Sequence, residues 1–209
     1  MTLPWTWLGR MDHAACVARQ RLHRDGVIEG VLDDVLWLVE HPRTITEGRR
    51  PAPGTPSPEA LRARGVAFSK TERGGLATYH GPGQLVAYPI VSLTRRRFTV
   101  RAYVNRLEQV VIDFLGDLGL TARRRSDAPG VYVGTDKIAA VGIHIRRGVT
   151  IHGLALNIDP NLDDFGLIVP CGLTDAGVTS VARLLGAAPE VEEIAADFGP
   201  RLATALEAH

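Results

Sequence analysis

Arg73-Gly-Gly-Leu-Ala-Thr-Tyr-His80-Gly-Pro-Gly-Gln84 brings four glycines, a proline, a cation, a histidine and two hydroxyls into twelve residues. Glycines let backbone approach a ligand closely and expose N–H groups, and Arg73 adds a charged fork. A phosphate cradle is one chemistry this suits. The spacing matches neither G-x-x-x-x-G-K-[ST] nor G-x-G-x-x-G, and a lone His80 fits a structural role as readily as proton handling. Cys171, in Ile168-Val-Pro-Cys-Gly-Leu173, sits between a proline and a glycine, which argues for a bend that presents a thiol. A silent core thiol is the alternative; Cys16, within a helical stretch, reads that way. Of 24 basic residues only Lys70 and Lys137 are lysine. A lysine amine can shed its proton or be acylated, which arginine cannot do. Lys70 reads as a surface residue. Cys171, His80, His144 and His152 are metal-ligand types, but no close pair such as C-x-x-C or H-x-x-x-H joins them.

These residues need elements to hold them. Residues 3–8 read as a strand, and a helix follows from Asp12 to Arg24, closed by Gly26. Val35 to Val39 is a short strand. Gly48 to Pro58, with Pro51, Pro53, Pro56 and Pro58, is an exposed loop. The stripe Val100, Tyr103, Val104, Leu107, Val110, Val111, Phe114, Leu115 and Leu118 predicts a helix over Thr99 to Leu118, ended by Gly119. Lys137 to Arg146 and Val149 to Ile158 predict a hairpin around Arg147-Gly148. That register pairs Gly142 with Gly153, Ala140 with Ala155 and Ile138 with Asn157, all on one face. The four small residues leave a trough there, open to a ligand, another backbone or a packed helix. Helices over Val178 to Leu185 and Val191 to Glu207 close the chain. Strands and helices without βαβ alternation make the class α+β, with a mixed or antiparallel sheet flanked by helices.

The 209 residues suit one domain over 1–209. Hydrophobic residues at 45% and charged residues at 22% exclude a disordered chain. A net charge of +1 gives no global case for nucleic acid or membrane. Two cysteines make no disulfide framework, and the N-terminus MTLPWTWLGR is no signal peptide. No apolar run reaches the ~20 residues of a membrane span. The expectation is a cytoplasmic protein.

Taken together, RGGLATYHGPGQ at 73–84, APGVYV at 128–133, KIAAVGIHIRRGVTIHGLALNID at 137–159, PCGL at 170–173 and TSVARLLG at 179–186 resemble the lipoyl(octanoyl) transferase family. That family belongs to the biotin/lipoate ligase superfamily, and the likeness runs from about Leu36 to Leu185. The resemblance implies a biotin/lipoate ligase-like fold. It implies transfer of an octanoyl group from acyl carrier protein to a lysine of a lipoyl domain. The acceptors it implies are 2-oxoacid dehydrogenase subunits and glycine-cleavage H protein.

It further implies a thioester on Cys171, with Lys137 beside it. Acyl contacts would come from Arg73, Gly74, Gly75, Leu76, Ala77, Thr78, Tyr79 and His80, and from Ala140, Val141, Gly142, Gly153, Leu154 and Ala155. A donor that is already a thioester requires neither ATP nor a metal. The thiolate is the attacking species: either a Lys137 ammonium lowers the thiol's pKa or a neutral Lys137 amine takes its proton. Toward the incoming lysine, Lys137 as a neutral amine is the candidate base, with His80 as a second orienting or proton-handling group. Oxyanion stabilisation would come from backbone N–H groups near Cys171-Gly172. Acyl carrier proteins are typically acidic, so Arg95 to Arg97, Arg123 to Arg125 and Arg146-Arg147 either form a docking surface or are solvated loop arginines. The competing readings are an ATP-dependent lipoate or biotin protein ligase and a non-catalytic acyl-binding module.

Overall fold

A computed structural model describes residues 2–126, 128–168 and 177–207. In chain order its elements are β1 (Trp5–Arg10), α1 (His13–Glu29), β2 (Val35–Glu40), β3 (Thr44–Glu47), α2 (Pro58–Arg62), β4 (Ala67–Lys70), β5 (Ala77–His80), β6 (Gln84–Ile90) and α3 (Val100–Asp117). They continue with β7 (Ala122–Arg124), β8 (Gly130–Val133), β9 (Asp136–Arg146), β10 (Val149–Asn157), a 3-10 turn (Leu162–Leu167), α4 (Val181–Leu185) and α5 (Val191–Ala205). Seven strands form one sheet in the order β1-β2-β6-β10-β9-β8-β7, and β4-β3-β5 form a smaller one. β1 runs parallel to β2 and β3 to β4; the other pairs are antiparallel. The mixed sheet with flanking helices is the α+β architecture expected from the sequence.

The helices follow their sequence signals. Thr99 caps α3 by accepting from Ala102 N, and its stripe from Tyr103 to Leu115 is buried. That stripe packs with Ile194, Phe198 and Leu202 of α5 over Leu36, Leu38, Leu85, Leu154 and Leu156 of the sheet. Phe114 and Phe198 meet edge to face at 5.6 Å. Each such buried apolar side chain contributes about 1.5–3 kcal/mol. α1 covers the opposite face, where Cys16 packs among Trp37, Val39, Val86, Tyr88 and Ile151. The small sheet has its own apolar centre of Ile45, Leu61, Ala77, Tyr79, Phe165 and Ile168. No helix among the described residues is long and apolar enough to cross a membrane.

Several boundaries differ from expectation. α1 runs past Gly26 and ends at Gly30, the residue with left-handed φ of 77°. Gly26 lies under Leu32, whose side chain folds back onto the helix with Cδ1 2.6 Å from where a Cβ would stand. α4 begins at Val181 rather than Val178, because Val178 bridges to Lys137 and Ser180 caps the helix through Arg183 N. The loop before α2 ends at Ser57, with Pro58 in the first helical turn and Ser57 capping Ala60 N. The hairpin turn has positive φ at both Arg147 (48°) and Gly148 (79°), the hallmark of a type I′ turn. Its register pairs Gly142 with Gly153 and Ala140 with Ala155, as read from the sequence.

Candidate active site

The trough on β9 and β10 is the floor of a cleft. Ala140, Gly142, Gly153 and Ala155 form that floor, Val141 and Leu154 border it while their side chains pack on the α3/α5 face, and Arg73, Gly74, Gly75, Thr78 and His80 form the opposite wall. The loop from Arg73, not a helix, covers the trough: Gly74 N donates to Ile143 O at 3.0 Å, and Gly142 faces Arg73 and Gly74. At Gly153 the neighbour that forbids a side chain is β6, since a Cβ would lie 2.1 Å from Ala87 O. Three expected contact residues do not line the cleft. Strand alternation sends Ala77 and Tyr79 to the far side of β5, into the small sheet's centre, and Leu76 packs against that same centre. Tyr79 instead donates its hydroxyl to Asp164 Oδ2 at 2.8 Å. Arg73 is also more occupied than a ligand-binding fork would be. It donates to Thr46 O at 2.6 Å, to Thr46 Oγ1 and to Gly74 O, so it braces the wall it lines.

Lys137 lines the same cleft, although simple alternation puts it on the other face from Ala140 and Gly142. The β8–β9 register explains this. Ala139 pairs with Val131 and Lys137 with Tyr132, so Ile138 is an extra residue. Ile138 and Ala139 both point into the α3/α5 core, and Lys137 is thereby turned into the cleft. Ile138 is therefore absent from the trough face on which its expected pairing with Asn157 placed it. The Lys137 ammonium lies 3.3 Å from Pro129 O and 5.2 Å from the Tyr132 ring centroid. Its main chain is held by the returning chain: Lys137 N donates to Gly177 O and Thr179 N donates to Lys137 O.

His80 closes one end of the cleft. Its ring is stacked on His13 at 5.6 Å and meets His41 edge-on at 5.8 Å. Burial, aided by nearby His41 and Arg73, brings its pKa down to about 3, so the ring is neutral near pH 7. Burial likewise lowers His13, His41 and His152. Glu72 is pulled well below the carboxylate range, first by the bidentate Arg21 and then by His152. Among the described residues no group of three or more His, Cys, Asp or Glu could hold a metal ion.

The profile of the lipoyl protein ligase A/B catalytic domain matches residues 13–202. The octanoyltransferase of Chloroflexus aggregans is 46% identical over 199 residues, 93% of this chain and 90% of that one. That of Syntrophobacter fumaroxidans is 51% identical over 185 residues, 86% of this chain and 79% of that one. The chain belongs to this family. It is an enzyme, an acyltransferase of the octanoyltransferase kind. Solved structures extend the likeness of fold. A putative lipoate protein ligase from T. acidophilum with bound lipoic acid superposes with a TM-score of 0.74 at 18% identity, over 99% of this chain and 86% of that one. Biotin protein ligase from Aquifex aeolicus with biotin and ATP superposes at 0.57 and 13%, over 97% and 70%.

In this octanoyltransferase-family chain, Cys171 and its neighbours Pro170 and Gly172 lie outside the described residues. His144 is on the hairpin but does not line the cleft, and Cys16 is fully buried with its thiol pushed up to about 11 by burial. Lys70 is exposed and pairs loosely with Glu47. Sequence reasoning passed over His13, Tyr88 and His152 as cleft residues. His13 follows the α1 cap and Tyr88 lies within an apolar strand, so neither carried a local signal. Several expected docking arginines already have partners: Arg95 and Arg96 bind Asp34, Arg124 binds Glu108 and Arg146 binds Asp25.

Proposed function

We propose that this chain moves an octanoyl or lipoyl group from acyl carrier protein to a specific lysine of a lipoyl domain through a thioester on Cys171. The observation that carries the reading is the cleft itself. Its floor is the small-residue face of Ala140, Gly142, Gly153 and Ala155, which leaves room for an acyl chain, and a nine-tenths-buried lysine stands at its side. Cys171 lies six residues before Gly177, a tether of at most ~21 Å, and Gly177 is bonded to Lys137. In the first half-reaction the Cys171 thiolate, its proton held by Lys137, attacks the donor thioester, and the carrier's thiolate leaves with that proton. In the second, Lys137 accepts a proton from the incoming lysine amine, the new C–N bond forms, and the bond from the acyl carbon to Cys171 Sγ breaks. The proton then returns to the thiolate. The donor thioester already carries the activation, so the reaction needs neither ATP nor a metal. Lipoyl domains of 2-oxoacid dehydrogenases and the glycine-cleavage H protein are the acceptors, and the setting is the cytoplasm, at the first step of endogenous protein lipoylation.

Intact-protein mass after mixing with octanoyl-acyl carrier protein, without ATP, tests this. One octanoyl group is expected on the wild type and none on Cys171→Ser, and an apo lipoyl domain should discharge it. Lys137→Arg keeps the charge but cannot act as a base, and should lose transfer by ~100-fold or more. Absence of an adduct without ATP, with modification restored by ATP and free acid, would make the chain a ligase.

A further inference from the structure

A chain of buried amides runs from the main chain to His80, and its direction is set at one end. Thr179 O can only accept, so the Asn157 amide nitrogen must face it, at 2.9 Å. Asn157 Oδ1 then faces Gln84, whose Nε2 donates to it at 2.9 Å and reaches Tyr79 O at 3.4 Å. Gln84 Oε1 is left toward His80 Nδ1, 2.7 Å away, and an amide oxygen can only accept. The His80 proton therefore sits on Nδ1. Gln84, Asn157 and Thr179 are each at most 4% exposed, so water does not loosen the sequence of donors and acceptors. No described residue donates to His80 Nε2, and His80 lines the cleft. The same Thr179 donates its N–H to Lys137 O, so one residue anchors both the relay and the strand that carries Lys137.

We propose that Gln84 and Asn157 are positioning residues that lock His80 in the Nδ1–H tautomer, so that it meets the cleft as a hydrogen-bond acceptor only. An acceptor cannot stabilise a thioester oxygen. It can receive an N–H of the incoming lysine amine and hold the amine's lone pair toward the acyl carbon, while Lys137 remains the base. This use of the tautomer rests on the acyl transfer proposed above; the tautomer itself does not.

Long-range 1H–15N correlation of histidine-labelled protein, with His80→Gln to assign the signals, reads the ring nitrogens directly. A protonated Nδ1 and a bare Nε2 are expected, and a protonated Nε2 in the wild type overturns the proposal. Gln84→Met removes the acceptor at nearly constant size. It should move the proton to Nε2 in part or in full and slow discharge of the octanoyl-enzyme by about tenfold or more, with octanoyl-enzyme formation within about twofold of wild type. Unchanged nitrogens and discharge rate in Gln84→Met also overturn the proposal. Nitrogen shifts that follow residue 84 in a chain that forms no octanoyl adduct uphold the relay and remove the octanoyl reading instead.

Discussion

Histidines crowd the closed end of the cleft, and burial is the largest influence on their charge. His13, His41, His80 and His152 are each held below the ordinary histidine value by loss of solvent. The folded state therefore favours neutral rings, whereas the unfolded chain takes up protons near pH 6.5. Stability from this source is fully present above about pH 6.5. It is lost as pH falls from there toward the folded values, about 3 for His80. Asp164 and Glu72, held low mainly by Arg43 and Arg21, contribute only near and below the ordinary carboxylate range, so the two effects separate. Urea midpoints between pH 6.5 and 5 should fall steeply in the wild type. In His80→Gln the slope should be shallower by about 1.4 kcal/mol per pH unit. Equal slopes would mean that His80 is charged in the fold. None of this was legible locally: His80 stood out by its glycine-rich neighbours, but the rings that crowd it come from α1 and from the end of β2.

At the scale of elements, the hairpin and the helices were readable and the placement of Lys137 was not. Arg147-Gly148 and the small residues on either side specify the register, and strand alternation makes Ala140, Gly142, Gly153 and Ala155 one surface. The same alternation misplaces Lys137, because the extra residue at Ile138 appears only when β8 pairs with β9. Gly130 makes that geometry possible. Its φ is 135°, and a Cβ would lie 2.6 Å from Ala139 O and 3.2 Å from Lys137 Cε. Gly130→Ala should cost about 1–3 kcal/mol of stability. It should also lower kcat far more than the donor KM, since it pushes the amine rather than the acyl floor. Steady-state kinetics with wild-type kcat would show that the bulge does not set the amine's position.

Across the whole molecule, one buried carboxylate ties the sheet to the last helix. Asp34 accepts from Ser92 N, Arg95 and Arg96, and Arg96 passes a further hydrogen bond to Leu206 O at the end of α5. Asp34→Ala leaves the nearly buried Arg96 guanidinium without its counter-charge, and should destabilise the fold by about 3–5 kcal/mol. Denaturant unfolding reads this, and a loss below ~1 kcal/mol would show that water replaces the carboxylate. Arg95 and Arg96 thus serve the fold, although their position in a run of three arginines reads equally well as a docking surface.

The sequence by itself determined the class, the amphipathic α3, the hairpin register and the family, because each is written in short-range periodicity or in contiguous motifs. The cleft's small-residue floor was legible for the same reason. Tertiary structure alone decided that Lys137 turns toward that floor and that Arg73 braces its wall. It also brought His13, Tyr88 and His152 to the cleft and oriented His80 through Gln84 and Asn157. Those outcomes depend on a bulge, on burial and on hydrogen bonds between residues far apart in the chain. Residues 84 and 157 meet only because β6 and β10 are neighbours in the sheet.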